Sequence, residues 1–288
     1  IECHEAINAY ARELLVEVAE EVRRRGWSVL HGIVDSLWLR PPTGGADPEA
    51  LAREISGATG LPLGYEGRYR WIVFLPHHEH GFGVPQRYYG AYESGELKVR
   101  GLEVRRGDAC AFVRGVQQEV LTLLAEAPDA DGFRARIPEA LERGRAAARR
   151  LVGGTVPREE LIVTRRASRS PEEYRVFSDG VAAMRQLRAH GIDRGQGEEV
   201  GYVITDRRAR DWRRKVVAAE LIRGDEAYDA EAYVELLARS FETLFRPFGG
   251  TVDRILRRWG ISPTGPGYRP TERASAQRPG QRRLMAAG

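Results

Sequence analysis

Apolar residues recur at Ile7, Tyr10, Ala11, Leu14, Leu15, Val18 and Val22, a three-and-four spacing that predicts a helix over 2–25, ended by Gly26. The period then shortens. Residues 27–40 read as two short apolar strands around Gly32, closed by Pro41-Pro42-Thr43-Gly44-Gly45. Asp47 ahead of Pro48 supplies an N-cap and a first-turn proline for a short helix to about Thr59. Alternation returns at 69–75 and 87–93, and Ser94-Gly95 turns the chain into a third strand at 97–104.

From Asp108 onward the pattern is mostly helical. Asp108 is placed to cap a helix to about Ala127, and a second spans 137–152. Residues 164–169 read as a polar, basic loop, and Pro171 opens a helix-prone stretch ending at His190-Gly191. A short strand is expected at 200–205 and an amphipathic helix at 229–245. Beyond Pro263 almost nothing is apolar, so a disordered basic tail is expected over 263–288.

Composition narrows the class. No apolar run approaches the roughly 18 residues of a membrane span. The opening on Ile1, with Glu2, His4 and Glu5 where a signal peptide would be apolar, reads as the middle of a longer chain. Cys3 and Cys110 form no disulfide framework, so a reducing cytoplasm is expected. The formal charge is +4, and apart from Lys98 and Lys215 every basic residue is arginine. Guanidinium forks suit phosphate; codons of a GC-rich genome give the same bias, so position has to decide. There is no GxxxxGK[ST], GxSxG or HExxH, which leaves P-loop, serine and zincin hydrolysis without support.

Two places offer chemistry. Asp35 lies in the apolar run 29–39, where a carboxylate needs a partner or a cation. At a hairpin tip it can hold Mg²⁺, whose ligands are one or two carboxylates plus substrate phosphates; a turn aspartate capping backbone is the plainer reading of the residue alone. His77-His78-Glu79-His80 is a candidate transition-metal loop, although adjacent side chains rarely converge on one ion.

In sequence, His31-Gly32-Ile33-Val34-Asp35-Ser36 resembles the YGDTDS motif of family B DNA polymerases, and residues 5–13 resemble the helix before it in archaeal members. Tyr65-Glu66-Gly67-Arg68-Tyr69 is similar to the family's YEGFY strand, Arg87-Tyr88-Tyr89-Gly90 to the end of KKRYYG, and residues 99–108 to RGLEVVRRD. Val156-Pro157-Arg158-Glu159-Glu160-Leu161, Ser168-Arg169, Tyr174, Gly201-Tyr202-Val203 and residues 228–233 follow in the family's order. The likeness covers about residues 2–260.

The resemblance implies an α+β fold: the C-terminal part of a palm over 1–107, an antiparallel sheet with helices on one face, then a helical thumb over 108–262. It makes Asp35 the surviving catalytic, Mg²⁺-binding carboxylate and puts Glu66, a second candidate ligand, on a strand of the same sheet. It assigns DNA contacts to Arg87, Tyr88, Arg100, Arg105 and Arg106, and to Arg165, Arg166, Ser168, Arg169 and Tyr174 in the thumb loop. The departures are specific: Ile33 and Val34 replace the motif's first Asp and its Thr, and Pro85 and Gln86 replace two lysines. The expected function is therefore primer–template duplex binding by a polymerase portion that is weak or inactive alone, with the rest of the palm, the fingers and the exonuclease supplied upstream or by another chain. Residues 281–284 faintly resemble the start of a sliding-clamp peptide. The alternatives are a non-catalytic DNA-binding or scaffolding subunit of a replication or repair complex, and a metal-binding module on the histidine loop.

Overall fold

The computed structural model describes residues 2–33, 35–76, 83–175, 177–224 and 226–261. The histidine loop at 77–80 and the tail at 263–288 lie outside them.

The fold is α+β, with seven α-helices and three small antiparallel sheets among the described residues. Helix α1 (Glu2–Arg24) leads into a hairpin of β1 (Ser28–Ile33) and β2 (Ser36–Arg40). Helix α2 (Pro48–Thr59) is capped by the Asp47 carboxylate, which accepts from the Glu49 N–H, and ends at Gly60 in the left-handed region. Val18, Val22, Trp27, Leu51 and Ile55 make a small core between α1, α2 and the hairpin.

A second and larger core is continuous from Trp71 to Trp259. Its first wall is the meander β3 (Tyr69–Pro76), β4 (Gly83–Tyr92) and β5 (Leu97–Arg100). Trp71, Val73 and Leu75 alternate inward along β3, each burial being worth roughly 1.5–3 kcal/mol. The opposing wall is helical: α3 (Ala111–Ala125), α4 (Ala130–Val152), α6 (Ala230–Phe245) and α7 (Val252–Trp259). Fully buried Tyr89 on β4 donates its hydroxyl to Leu244 O of α6 at 2.7 Å, joining the walls. Gly144 is needed where α4 meets α6 and α7, since a Cβ there would lie 2.5 Å from Phe241 and 2.6 Å from Trp259.

The third sheet runs β6 (Val163–Arg166), β7 (Glu199–Ile204) and β8 (Val216–Ala218), with α5 (Asp179–Ala189) packed on β7 and β8. Tyr233 of α6 holds it: the hydroxyl accepts from the Ile204 N–H and donates to Leu161 O, both at 2.8 Å.

Several expectations need correction. The first hairpin turns between Ile33 and Ser36, and Gly32 lies inside β1. The third strand stops at Arg100 because Gly101 takes a positive φ of 68°, after which Glu103–Arg105 form a 3₁₀ turn. Asp108 does not cap α3, whose N-cap is Cys110. Helix α4 begins seven residues before the expected 137, because Asp129 accepts from two first-turn N–H groups; it runs through Pro138. The expected basic loop at 164–169 is in good part strand β6, since Val163 buries and the strand finds a partner in β7. Helix α5 starts at Asp179 rather than Pro171. No helix among the described residues is long and apolar enough to cross a membrane.

Tyr233→Phe strands one buried N–H and one carbonyl. The expected loss is about 1–3 kcal/mol, read as a Tm several degrees lower, whereas Tyr10→Phe, on an exposed ring, leaves the Tm unchanged. Equal melting curves for both variants would show that the phenol does not hold the third sheet.

Candidate nucleic-acid interface

Ile33 pairs with Ser36, so the β1–β2 turn is two residues long and Asp35 stands exposed at its tip. Among the described residues its carboxylate accepts only from Ser36 Oγ, at 3.2 Å. The hairpin is seated on the meander by rings: Trp38 lies 5.1 Å from Tyr88 and 5.8 Å from Phe74, and His31 lies 4.6 Å from Phe74. Burial among these rings lowers the His31 pKa, because the charged imidazolium would lose hydration there. Ile33, at the family motif's first acidic position, is 9% exposed and packs inward.

Asp35 and Glu66 both line a groove of about 880 Å³ whose floor is apolar, with Leu15, Val18, Leu37 and Ile55 among its walls. Glu66 is not on a strand of the hairpin's sheet as expected. It lies in the irregular stretch before β3, where Gly67 (φ 145°) interrupts extended pairing. Its carboxylate accepts from Tyr92 Oη at 3.4 Å and faces Lys98 Nζ at 3.8 Å. Among the described residues no three His, Cys, Asp or Glu side chains gather as a metal site.

The arginines fall into a more definite arrangement. Arg100 ends β5 with its side chain exposed, Arg105 and Arg106 are exposed on the turn that follows, and Arg87 is half-buried on β4. Arg106 grips Asp108 with two bonds, Nε to Oδ1 at 2.8 Å and Nη2 to Oδ2 at 2.5 Å. Arg165 Nη1 reaches the same carboxylate at 2.8 Å and donates to Asp108 O at 3.0 Å. Partial burial opposes the charge on Asp108, but the hydrogen bond and charge of Arg106, with the charge of Arg165, outweigh it and hold the carboxyl below its ordinary pKa. One acid thus draws two guanidiniums onto one surface, Arg165 reaching it from 57 residues along the chain.

Arg166 next to it meets only Glu199, at 4.0 Å, both side chains exposed. The Ser168 N–H donates to Tyr174 Oη at 2.8 Å, and the two hydroxyls lie 3.1 Å apart. Hydrogen bonding from Ser168 keeps the phenol below its usual pKa. Arg169 is exposed close by. Tyr88 departs from expectation: it is 5% exposed, its ring shared among Trp38 and Phe74, so packing and not surface contact is its part in this fold. Asp108 was read as a helix cap; the signal for its bridging role is its place two residues after Arg106 in a chain that needs a partner for paired arginines.

The DNA polymerase family B profile matches residues 85–248. A DNA polymerase of Thermococcus kodakarensis is 26% identical over 86% of this chain, covering 14% of that protein. One from Pyrococcus glycovorans is 27% identical over 81% of this chain and 29% of its own length. The chain spans less than a third of these relatives. The solved family B DNA polymerase of Pyrobaculum calidifontis superposes with a TM-score of 0.59 at 22% identity, over 84% of this chain and 29% of that one, which is a likeness of fold.

Because the Asp108 pKa is lowered in the folded chain, its stabilisation is present above the unfolded value of about 3.9 and is lost as pH falls through the folded one. Asp108→Asn should lower stability at neutral pH by about 1 kcal/mol or less. That deficit should close in melts taken below about pH 4. A deficit that stays constant with pH would mean that the carboxylate's charge is not what holds the two arginines.

Proposed function

The chain belongs to DNA polymerase family B, and from that premise we propose that it is the C-terminal palm and thumb portion of such an enzyme and grips primer–template duplex DNA. We assign residues 1–107 to the palm, 108–262 to the thumb and 263–288 to a basic tail. The observation that carries this reading is the shared Asp108: it brings Arg106 and Arg165 together, with Arg100, Arg105, Arg166 and Arg169 on the same or adjoining segments. Two guanidiniums on one carboxylate leave a positive surplus, and N–H forks of this kind match phosphate oxygens. Contacts to backbone phosphate position a duplex without reading its sequence. Arg87 and the Ser168–Tyr174 hydroxyl pair border this surface as further contacts.

The catalytic part of the reading is narrower. Asp35 is exposed, and its carboxylate accepts from Ser36 Oγ, which leaves it acceptor capacity for a cation. Family polymerisation on divalent metal requires at least two carboxylates in position, and buried Ile33 cannot serve as one. Glu66 is held towards Lys98. Mg²⁺ chemistry at Asp35 would thus depend on an acid from outside this chain, and we place the missing palm against the apolar groove that Asp35 rims. The burial of Ile33 also favours the second reading, a subunit that holds DNA without catalysis of its own.

Two measurements test this. The isolated chain should incorporate no nucleotide on a primed template with Mg²⁺ or Mn²⁺; robust extension that Asp35→Ala abolishes would overturn the assignment of a degenerate site. Duplex binding, followed by fluorescence anisotropy at several salt concentrations, should be weak and steeply salt-dependent. Each lost phosphate contact reduces the log–log slope by about 0.9. Changing Arg165, Arg166 and Arg169 together to Ala should flatten it by about two to three. An unchanged slope and affinity would remove β6 and the following loop from the DNA surface.

A further inference from the structure

Residues 206–215 read Asp-Arg-Arg-Ala-Arg-Asp-Trp-Arg-Arg-Lys: six basic side chains against two acids, a surplus equal to the formal +4 of the whole chain. This segment joins β7 to β8 and includes the 3₁₀ turn Trp212–Arg214. It is held firmly. Thr205 Oγ1 donates to Arg214 O at 2.6 Å, and Gln186 of α5 donates to Arg213 O and Val216 O while accepting from the Ala218 N–H. Arg207 and Arg208 reach Glu235 and Glu231 of α6, tying the segment to the core.

What this frame presents is a row of four groups in contact, two guanidiniums over two rings that meet at a tilt of 51°. The Arg213 guanidinium lies 4.7 Å over the Trp212 ring, the Trp212 and Phe177 rings are 6.0 Å apart, and Arg185 lies 4.8 Å over Phe177. Phe177 is 38% exposed, one of the few large apolar side chains at the surface. Arg210, Lys215 and Arg185 have no carboxylate within ion-pair distance among the described residues. An exposed ring beside a half-buried one, each carrying a guanidinium, with cations that meet no carboxylate beside them, supplies the elements of a base-stacking platform. Bases inside a duplex have their faces occupied by neighbouring pairs, so such a row meets only an unpaired strand.

We propose that Phe177 and Trp212, with Arg185, Arg210, Arg213 and Lys215, form a second site that binds single-stranded nucleic acid. Bases stack on the two rings and their guanidiniums, and phosphates meet Arg210 and Lys215. The site uses none of the residues of the Asp108-centred surface and does not rest on the duplex reading. Preorganisation by Gln186 and Thr205 reduces the ordering cost of binding.

The test is anisotropy of labelled oligo(dT) and oligo(rU) with the full chain, beside duplex of equal length. Phe177→Ala and Trp212→Ala should each weaken single-strand binding at least about fivefold. Arg210→Ala with Lys215→Ala should lower the single-strand salt slope by about 0.7 for each residue. Arg165, Arg166 and Arg169 changed to Ala should leave single-strand affinity unaltered, so failure of the duplex reading is seen in another arm. Trp212 packs partly on the core; if Trp212→Ala unfolds the chain, Phe177→Ala and the Arg210/Lys215 pair decide. Preference for one oligomer identifies the strand type. Parent-like binding and slope in those two variants with both oligomers would overturn the proposal.

Discussion

The buried contact between β4 and α6 sets the geometry on which everything else rests. Tyr89 has no solvent contact, and leaving its hydroxyl unsatisfied would cost about 1–3 kcal/mol. Leu244 O answers it from 155 residues away. Around that bond, Trp71 and Tyr89 of the meander pack on Phe133 of α4, and Gln117 of α3, itself fully buried, accepts from the Val104 N–H and donates to Glu103 and Ser240 O. The turn that carries Arg105 and Arg106 is thereby held to the helical wall. Arg106 can then share Asp108 with Arg165 only because the core has already fixed the distance between β5 and β6. The exposed charges follow from buried packing, not the reverse, since an exposed pair contributes at most about 1 kcal/mol.

Local signals were readable where one physical cause dominated. The three-and-four apolar spacing gave α1 and α6 nearly to the residue, and Asp47-Pro48 gave the start of α2, because caps and periodicity act within a few residues. They failed where a distant partner decides. Arg165 and Arg166 look like loop residues by polarity, yet Val163 is buried and the strand forms because β7 lies beside it. Asp108 precedes a helix and looks like a cap, but two guanidiniums offer it more than one N–H group does. Tyr88 looks like a surface ligand from its arginine neighbour; the hairpin's Trp38 covers that face of β4 and puts it inside.

The hairpin sets an exposed acid beside a buried isoleucine. A two-residue turn with Asp35 exposed persists, and ring contacts from Trp38 and His31 seat it on β3 and β4. A carboxylate at position 33 would occupy an apolar contact, and an unpaired charge there is costly enough that it would need a cation close by. An isoleucine there needs no such partner, and it leaves Asp35 without a carboxylate two residues before it.

The near-absence of lysine acquires a structural meaning from position. Guanidiniums here rarely act as lone surface charges: Arg70 donates to the carbonyl that ends α3, Arg158 to Glu226 O, Arg106 clasps a carboxylate with two nitrogens, and Arg185 and Arg213 lie flat on rings. A compact ammonium can supply charge in each place but neither the fork nor the flat face. The composition that codon bias alone would explain is thus put to structural work at named carbonyls, carboxylates and rings. Arg100, Arg105 and Arg210 have no such partner among the described residues, and their side chains are exposed, so water meets donors that elsewhere meet carbonyls, carboxylates and rings.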